Sequence, residues 1–180
     1  SACLVGSEMC IRDRLAAAGD SRIAAVIRTV CATGIRVSEL KYITAEAVRE
    51  GKAAVQCKGK VRLILLPGTL CRFLRGYMKK AGIKAGSVFV TRSGRPLDRS
   101  NIWKEMKALC AAADVPPAKV FPHNLRHLFA RTFYRAEKDL LRLADLLGHS
   151  SINTTRIYTM DTGAQHRRAL DRVGAILCTT

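Results

Sequence analysis

The stretch that decides the fold runs from Pro122 to Tyr158, PHNLRHLFARTFYRAEKDLLRLADLLGHSSINTTRIY. Its apolar residues recur at helical spacing in three segments separated by polar breaks. Pro122 suits the first turn of a helix, where a missing N–H costs nothing and the proline φ is already helical. From there Leu125, Leu128, Phe129, Thr132 and Phe133 make one apolar stripe. Lys138 to Leu147 predicts a second helix, apolar through Leu140, Leu141, Leu143, Ala144, Leu146 and Leu147, and Gly148 ends it as a left-handed C-terminal cap. SSINTT opens a third, with Ser150 or Ser151 as its cap.

The polar residues of this stretch sit at spacings that packing alone does not require. His123 and Arg126 are neighbours on one helix surface. One imidazole and one guanidinium converging there suit a phosphate, the arginine as a fixed bidentate charge and the histidine as a proton carrier near neutral pH. His149, directly after Gly148, falls at a helix end and is expected to face the same crevice. Tyr158 follows about two turns on; its hydroxyl is a weak nucleophile at a free pKa of about 10. A phenolate aimed at a phosphorus flanked by arginines nevertheless needs neither metal nor nucleotide. Taken singly, each residue has a plainer reading, as a cap, a surface group or a half-buried aromatic. His127 lies one turn from His123, yet no third ligand or cysteine pair makes a zinc site.

Working upstream, Ile23, Val26, Ile27 and Val30 share a helical face that breaks at Thr33-Gly34. A short helix follows from Arg36 to Tyr42, so Arg36 stands at a helix start, where unpaired N–H groups and the helix dipole favour anions. Lys52 to Leu66 reads as a hairpin turning at Gly59, with Pro67 ending its second arm. Lys58, Lys60 and Arg62 would project from that tight turn, a shape suited to a DNA groove; a solvated charged turn is the plainer reading. Gly68 to Ala81 is an amphipathic scaffold helix, with Leu70, Phe73, Leu74, Tyr77, Met78 and Ala81 on its apolar side. SVFVTRSGRPLDRS predicts a short strand, a turn at Ser93-Gly94, and Asp98 or Ser100 as cap of a helix burying Ile102, Met106, Leu109 and Cys110, after which Pro116-Pro117 closes the region. Arg92, Arg95 and Arg99 are candidate phosphate contacts. Downstream, Asp161 to Leu177 predicts a last helix with Ala169, Leu170, Val173 and Ile176 on one side.

Composition bounds the function. With 31 Lys+Arg against 14 Asp+Glu, the 180 residues carry +17, and the sequence pI is near 10.2. The basic residues are spread through the folding segments, which favours a charged face for nucleic acid over a membrane helix. No apolar run approaches the ~20 residues of a membrane span. The seven cysteines, Cys3, Cys10, Cys31, Cys57, Cys71, Cys110 and Cys178, are odd in number and form no CxxC pair. They read as reduced core residues of a cytoplasmic protein. The opening SACLVGSEMCIRDR is different in kind: Leu4 to Arg14 resembles one reading frame of a transposon-tagmentation adapter used in sequencing libraries. Residues 1–14 are therefore expected to be a non-native leader, with a domain that preceded Leu15 missing.

Taken together and in order, TGIRVSEL, the strand-turn lysine of QCKGKVR, HNLRH and LGHSSINTTRIY resemble the catalytic domain of tyrosine recombinases, the phage, transposon and Xer-type integrases. The resemblance covers about residues 20–177, and the separation of nine residues from His149 to Tyr158 adds to its specificity. It implies that Arg36 and Arg126 clamp the non-bridging oxygens of a scissile phosphate, with Glu39 supporting Arg36. His123 would assist proton transfer, His149 hydrogen-bond the phosphate, Lys58 protonate the departing 5′ oxygen, and Tyr158 attack to give a 3′-phosphotyrosine. The turn after Lys58 is a residue shorter than in many relatives, which leaves Lys60 as the alternative acid. The resemblance also implies double-stranded DNA as partner, tetramers on two DNA sites, and no metal, cofactor or ATP. No phosphate-binding glycine loop or carboxylate cluster suited to Mg²⁺ is visible.

The expected architecture is thus mainly α with a small antiparallel hairpin on one edge, over residues 15–180. The expected function is a DNA strand transferase, the integrase of a mobile element. A type IB topoisomerase-like nicking and closing enzyme would share the chemistry without directed exchange, and a catalytically silent DNA-binding protein would share only the basic face.

Overall fold

The computed structural model describes residues 21–57, 60–112, 122–149 and 151–157, with only the backbone for residues 57, 60, 111 and 112. The leader expected over 1–14, Pro116-Pro117 and the helix expected over 161–177 lie outside the described residues.

Helix α1 (Arg22–Thr33) begins where Ser21 Oγ accepts the Ala24 N–H and ends at Gly34, whose φ of 65° is left-handed. Ile23, Ala24, Ala25, Val26, Ile27 and Val30 are all buried, so this helix runs through the core instead of lying on it. A 3-10 turn (Val37–Tyr42) follows, then the short helix α2 (Ala45–Glu50), capped by Thr44 Oγ1 on the Ala47 N–H. Too brief to show a helical period, α2 is absent from the sequence reading. Strands β1 (Lys52–Cys57) and β2 (Lys60–Leu65) pair antiparallel, from Lys52↔Leu65 to Cys57↔Lys60. The hairpin lays Ala53, Val55, Ile64 and the following Leu66 on the core.

Helix α3 (Gly68–Ala81) buries Leu70, Cys71, Leu74 and Met78 and leaves Arg72, Arg75, Lys79 and Lys80 exposed. The strand expected within SVFV is reduced to isolated bridges, Thr44↔Ser87 and Val90↔Pro96, because the chain reverses around Ser93-Gly94 before a ladder can extend. Asp98 caps helix α4 (Arg99–Ala112) by accepting the Asn101 N–H at 2.7 Å. Ile102, Met106, Leu109 and Cys110 pack into the main core, as their spacing predicts.

Helix α5 (Pro122–Glu137) packs along α1 and supplies Leu125 to that core. Its buried positions are Leu125, Arg126, Leu128 and Ala130, while Thr132 is exposed. The stripe is therefore rotated from the expected one, toward a buried arginine. Helix α6 (Leu140–Leu147) starts two residues later than predicted, since Lys138 has a φ of 57° and Asp139 takes the cap, accepting the Arg142 N–H. Leu143 and Leu147 form a second small core with Ala130, against Phe129, Phe133 and Tyr134, whereas Leu141 turns to solvent at 68% exposure. Gly148 closes α6 with a φ of 64°, and Ser151 caps the single turn α7 (Ile152–Arg156). The ends of α1 and α6 meet the start of α5 at the seam between the two cores. Among the described residues no helix is long and apolar enough to cross a membrane.

Candidate active site

Arg126 stands at that seam, 4% exposed. One Nη1–H donates to the Gly34 carbonyl at 2.6 Å, and Nη2 donates to the Leu147 carbonyl at 2.8 Å. These oxygens belong to the C-terminal ends of α1 and α6, where unpaired carbonyls and the negative end of the helix dipole favour a cation. Nη2 also lies 3.0 Å from His149 Nε2. These three acceptors are neutral, so these contacts hold the guanidinium without cancelling its charge.

His149 is fixed from both sides. Its Nδ1 is 2.8 Å from Thr155 Oγ1, a fully buried hydroxyl on α7. Because a guanidinium can only donate, Nε2 carries the lone pair and Nδ1 the hydrogen, which goes to Thr155. Burial, and then the charges of Arg126, Arg36 and Arg62, push the His149 pKa down to about 4, so the ring is neutral at physiological pH. In this state His149 orients Arg126. Donating to a phosphate through Nε2 requires the opposite tautomer.

Arg36 adopts an extended backbone (ψ 150°) ahead of the 3-10 turn. Its backbone N–H donates to Glu39 Oε2 at 2.8 Å and its Nη1 to Glu39 Oε1 at 3.1 Å. The Glu39 side chain is 6% exposed, while that of Arg36 remains 41% exposed. Burial alone would raise the Glu39 pKa; the Arg36 N–H, the charge and hydrogen bond of Arg62 and the charge of Arg36 outweigh it and hold the carboxyl below the usual range. Glu39 is thus an anion that holds Arg36 at both its backbone N–H and its Nη1, while the Arg36 side chain stays partly exposed.

Arg36, His123 and Arg126 line one cleft of about 1020 Å³, together with Arg99, Trp103 and Lys104 of α4. The fold has brought the first arginine to the start of α5 from far upstream. His123 is exposed and packs edge-on against His127, ring centres 4.4 Å apart. Burial, followed by His123 and nearby arginines, lowers the His127 pKa to about 4. Arg92 and Arg95 are exposed on the turn before α4 and do not line the cleft, whereas Arg99 does. Lys58 and Tyr158 lie outside the described residues, as does the side chain of Lys60.

One expectation is corrected. Arg62 does not project toward a groove; it turns inward to an ion pair with Glu39 Oε2 at 2.6 Å and a hydrogen bond to the Leu146 carbonyl, its side chain 15% exposed. The register explains this, since Arg62 pairs with core-facing Val55 and shares the inner face of β2 with Ile64. Sequence reasoning also missed Trp103, 45% exposed on the cleft side of α4 with Lys107 Nζ 5.5 Å from its ring centre, and Thr155. An exposed tryptophan on an amphipathic helix was a readable signal for the first. Thr155 offered none, standing among other small polar residues.

A family model described as the phage integrase family matches residues 10–164. The chain belongs to that family. Among curated relatives, it is 35% identical over 181 residues to the tyrosine recombinase XerD of Xanthomonas campestris pv. campestris, a match covering 92% of this chain and 53% of the relative. The crystal structure of XerA recombinase superimposes with a TM-score of 0.73 at 27% identity, covering 89% of this chain and 60% of that one. The XerH site-specific recombinase bound to its difH substrate shares the fold, with a TM-score of 0.69 at 23% identity over 87% of this chain and 50% of that one. The chain spans about half the length of the curated relatives it matches. The mainly helical architecture with a two-stranded antiparallel sheet is the tyrosine recombinase catalytic fold.

Proposed function

We propose that residues 15–180 form the DNA-cleaving domain of a site-specific recombinase that breaks and rejoins strands through a 3′-phosphotyrosine, without metal or ATP. The observation that carries this reading is the convergence of Arg36, Arg126 and His123 on one cleft. Arg126 has little freedom to move, and Arg36 is held by Glu39 at the edge of the same cleft, so two guanidiniums are preset to meet the non-bridging oxygens of one phosphate. Geometry held before the substrate arrives costs no reorganisation during the reaction.

In the proposed cycle the Tyr158 phenol oxygen attacks phosphorus, and His123 assists removal of its proton. The bond to the 5′ oxygen breaks, and Lys58, or Lys60, gives that oxygen a proton. The new phosphodiester on tyrosine keeps the energy of the broken one, so a 5′-hydroxyl from another strand reverses the steps with no added energy source. His149 holds Arg126 in place through the resting stage, and Glu39 does the same for Arg36. Double-stranded DNA is the substrate, met by the basic surface that includes Arg92, Arg95 and Arg99. Copies assemble as tetramers across two sites in the cytoplasm.

The test uses nicked duplexes with a randomised central stretch, in which cleavage releases a short oligonucleotide and traps the covalent product. Wild-type protein should form adducts in excess EDTA, and Tyr158→Phe should form none while binding the same DNA. Wild-type binding without any adduct would favour the silent DNA-binding reading. Adduct formation and relaxation on isolated sites, with no dependence on a partner site, would favour the topoisomerase-like one.

A further inference from the structure

We infer that Arg62 is a positioning residue that ties the lysine-bearing hairpin and the end of α6 to the Glu39–Arg36 pair; the inference rests on the reading of that pair as part of a phosphate site. The alternation of β2 is inverted with respect to polarity. Val61, Leu63 and Leu65 face outward at 72%, 52% and 59% exposure, while the inward positions are Arg62 and Ile64. A one-residue slip would hydrate the arginine and bury the three apolar residues, so something holds the opposite register. A charge turned inward is tolerated only when it is paired.

The pairing is specific to three parts of the site. Nη2 binds Glu39 Oε2, on the turn that carries Arg36. Nη1 donates to the Leu146 carbonyl in the last turn of α6, three residues before His149. The side chain then passes directly over Gly148: a Cβ added there would lie 2.5 Å from Arg62 Cδ. Gly148 is thus required twice, for its left-handed φ of 64° and for the passage of Arg62. Lys58 stands four residues before Arg62 in the sequence. The planar fork of a guanidinium can hold a carboxylate and a carbonyl at once, and a lysine ammonium at the end of a flexible stem cannot do so with the same geometry. Arg62 binds Oε2 while the Arg36 Nη1 binds Oε1, so one carboxylate fixes both guanidiniums relative to each other.

The experiment compares Arg62→Met and Arg62→Lys with wild type, each alone and combined with Glu39→Gln, by urea unfolding and by adduct formation on the nicked duplexes that wild type selects. Coupling of at least about tenfold in the unfolding equilibrium constant is expected between positions 62 and 39, since the two side chains are in direct contact. Adduct formation from bound DNA should fall about 100-fold in Arg62→Met, as for a misplacement of about an ångström remote from the chemistry. Arg62→Lys, which keeps the charge in the fold, should recover only part of that rate. DNA affinity and its salt dependence should hardly change, whereas a phosphate-contacting arginine would weaken binding uniformly and lower the salt slope by about one. Additive unfolding energies, or a loss confined to affinity and salt slope, would overturn the assignment. If wild type forms no adduct, the recombinase reading fails, and the unfolding cycle still decides whether Arg62 is coupled to Glu39.

Discussion

Replacing Arg126 by methionine tests whether the buried guanidinium is also a structural joint. Methionine fills a similar volume and leaves the Gly34 and Leu147 carbonyls facing an apolar side chain. Both oxygens now accept from a charged donor, at 2.6 and 2.8 Å. Stranding a buried acceptor costs about 1–3 kcal/mol, so the two together come to about 2–6 kcal/mol. Removing a cation that had been withdrawn from water gives back part of that. A net loss of about 3 kcal/mol is therefore expected, a large share of the 5–15 kcal/mol typical of a folded domain. With a urea slope near 2 kcal/mol/M, the unfolding midpoint should fall by about 1.5 M at unchanged slope. Denaturation followed by circular dichroism at pH 7 measures this directly. A midpoint within about 0.3 M of wild type, equivalent to ~0.6 kcal/mol at that slope, would refute the view that Arg126 joins the ends of α1 and α6.

Stability should also fall with acid. His127 and His149 both titrate near 4 in the folded chain against 6.5 as free groups, so between those values the unfolded chain binds more protons and folding is penalised. The contribution is complete above pH 6.5 and is lost progressively down to about pH 4; His149→Gln should flatten the profile in that window, as urea unfolding across pH would show. Gly34→Ala should cost more than the roughly 1–2 kcal/mol of holding an L-residue in a left-handed conformation, because the added Cβ meets the Phe129 ring as well as a φ of 65°; thermal unfolding that showed a smaller loss would contradict this. DNA affinity should drop steeply with salt, since a chain of net charge +17 releases counterions on binding, and titrations at several KCl concentrations that gave a flat response would contradict the basic-face reading.

The helices were legible wherever a period ran for three turns or more, as in α1, α3, α4 and α5, and the hairpin was legible from its turn residues. What escaped was local or non-local in a way that spacing does not encode. The rotation of the α5 stripe toward Arg126 depends on carbonyls of two other helices, which no pattern within α5 reveals. Leu141 looked like core because neighbouring leucines are, yet α6 buries only one narrow side against α5. Arg62 was misread because charge near a turn ordinarily means solvent, and its partner Glu39 lies 23 positions away on another element. For the site, the residue types in order were enough to group Arg36, His123, Arg126 and His149. The Arg126 contact that sets the His149 tautomer is a tertiary fact.

The most direct measurement is the chemistry of the covalent product itself. The trapped adduct would be digested with protease and nuclease, and the modified peptide sequenced by mass spectrometry. The account predicts a single linkage, a nucleotide joined through its 3′ phosphate to the phenolic oxygen of Tyr158. Attachment to any other side chain, or through a 5′ phosphate, would contradict it.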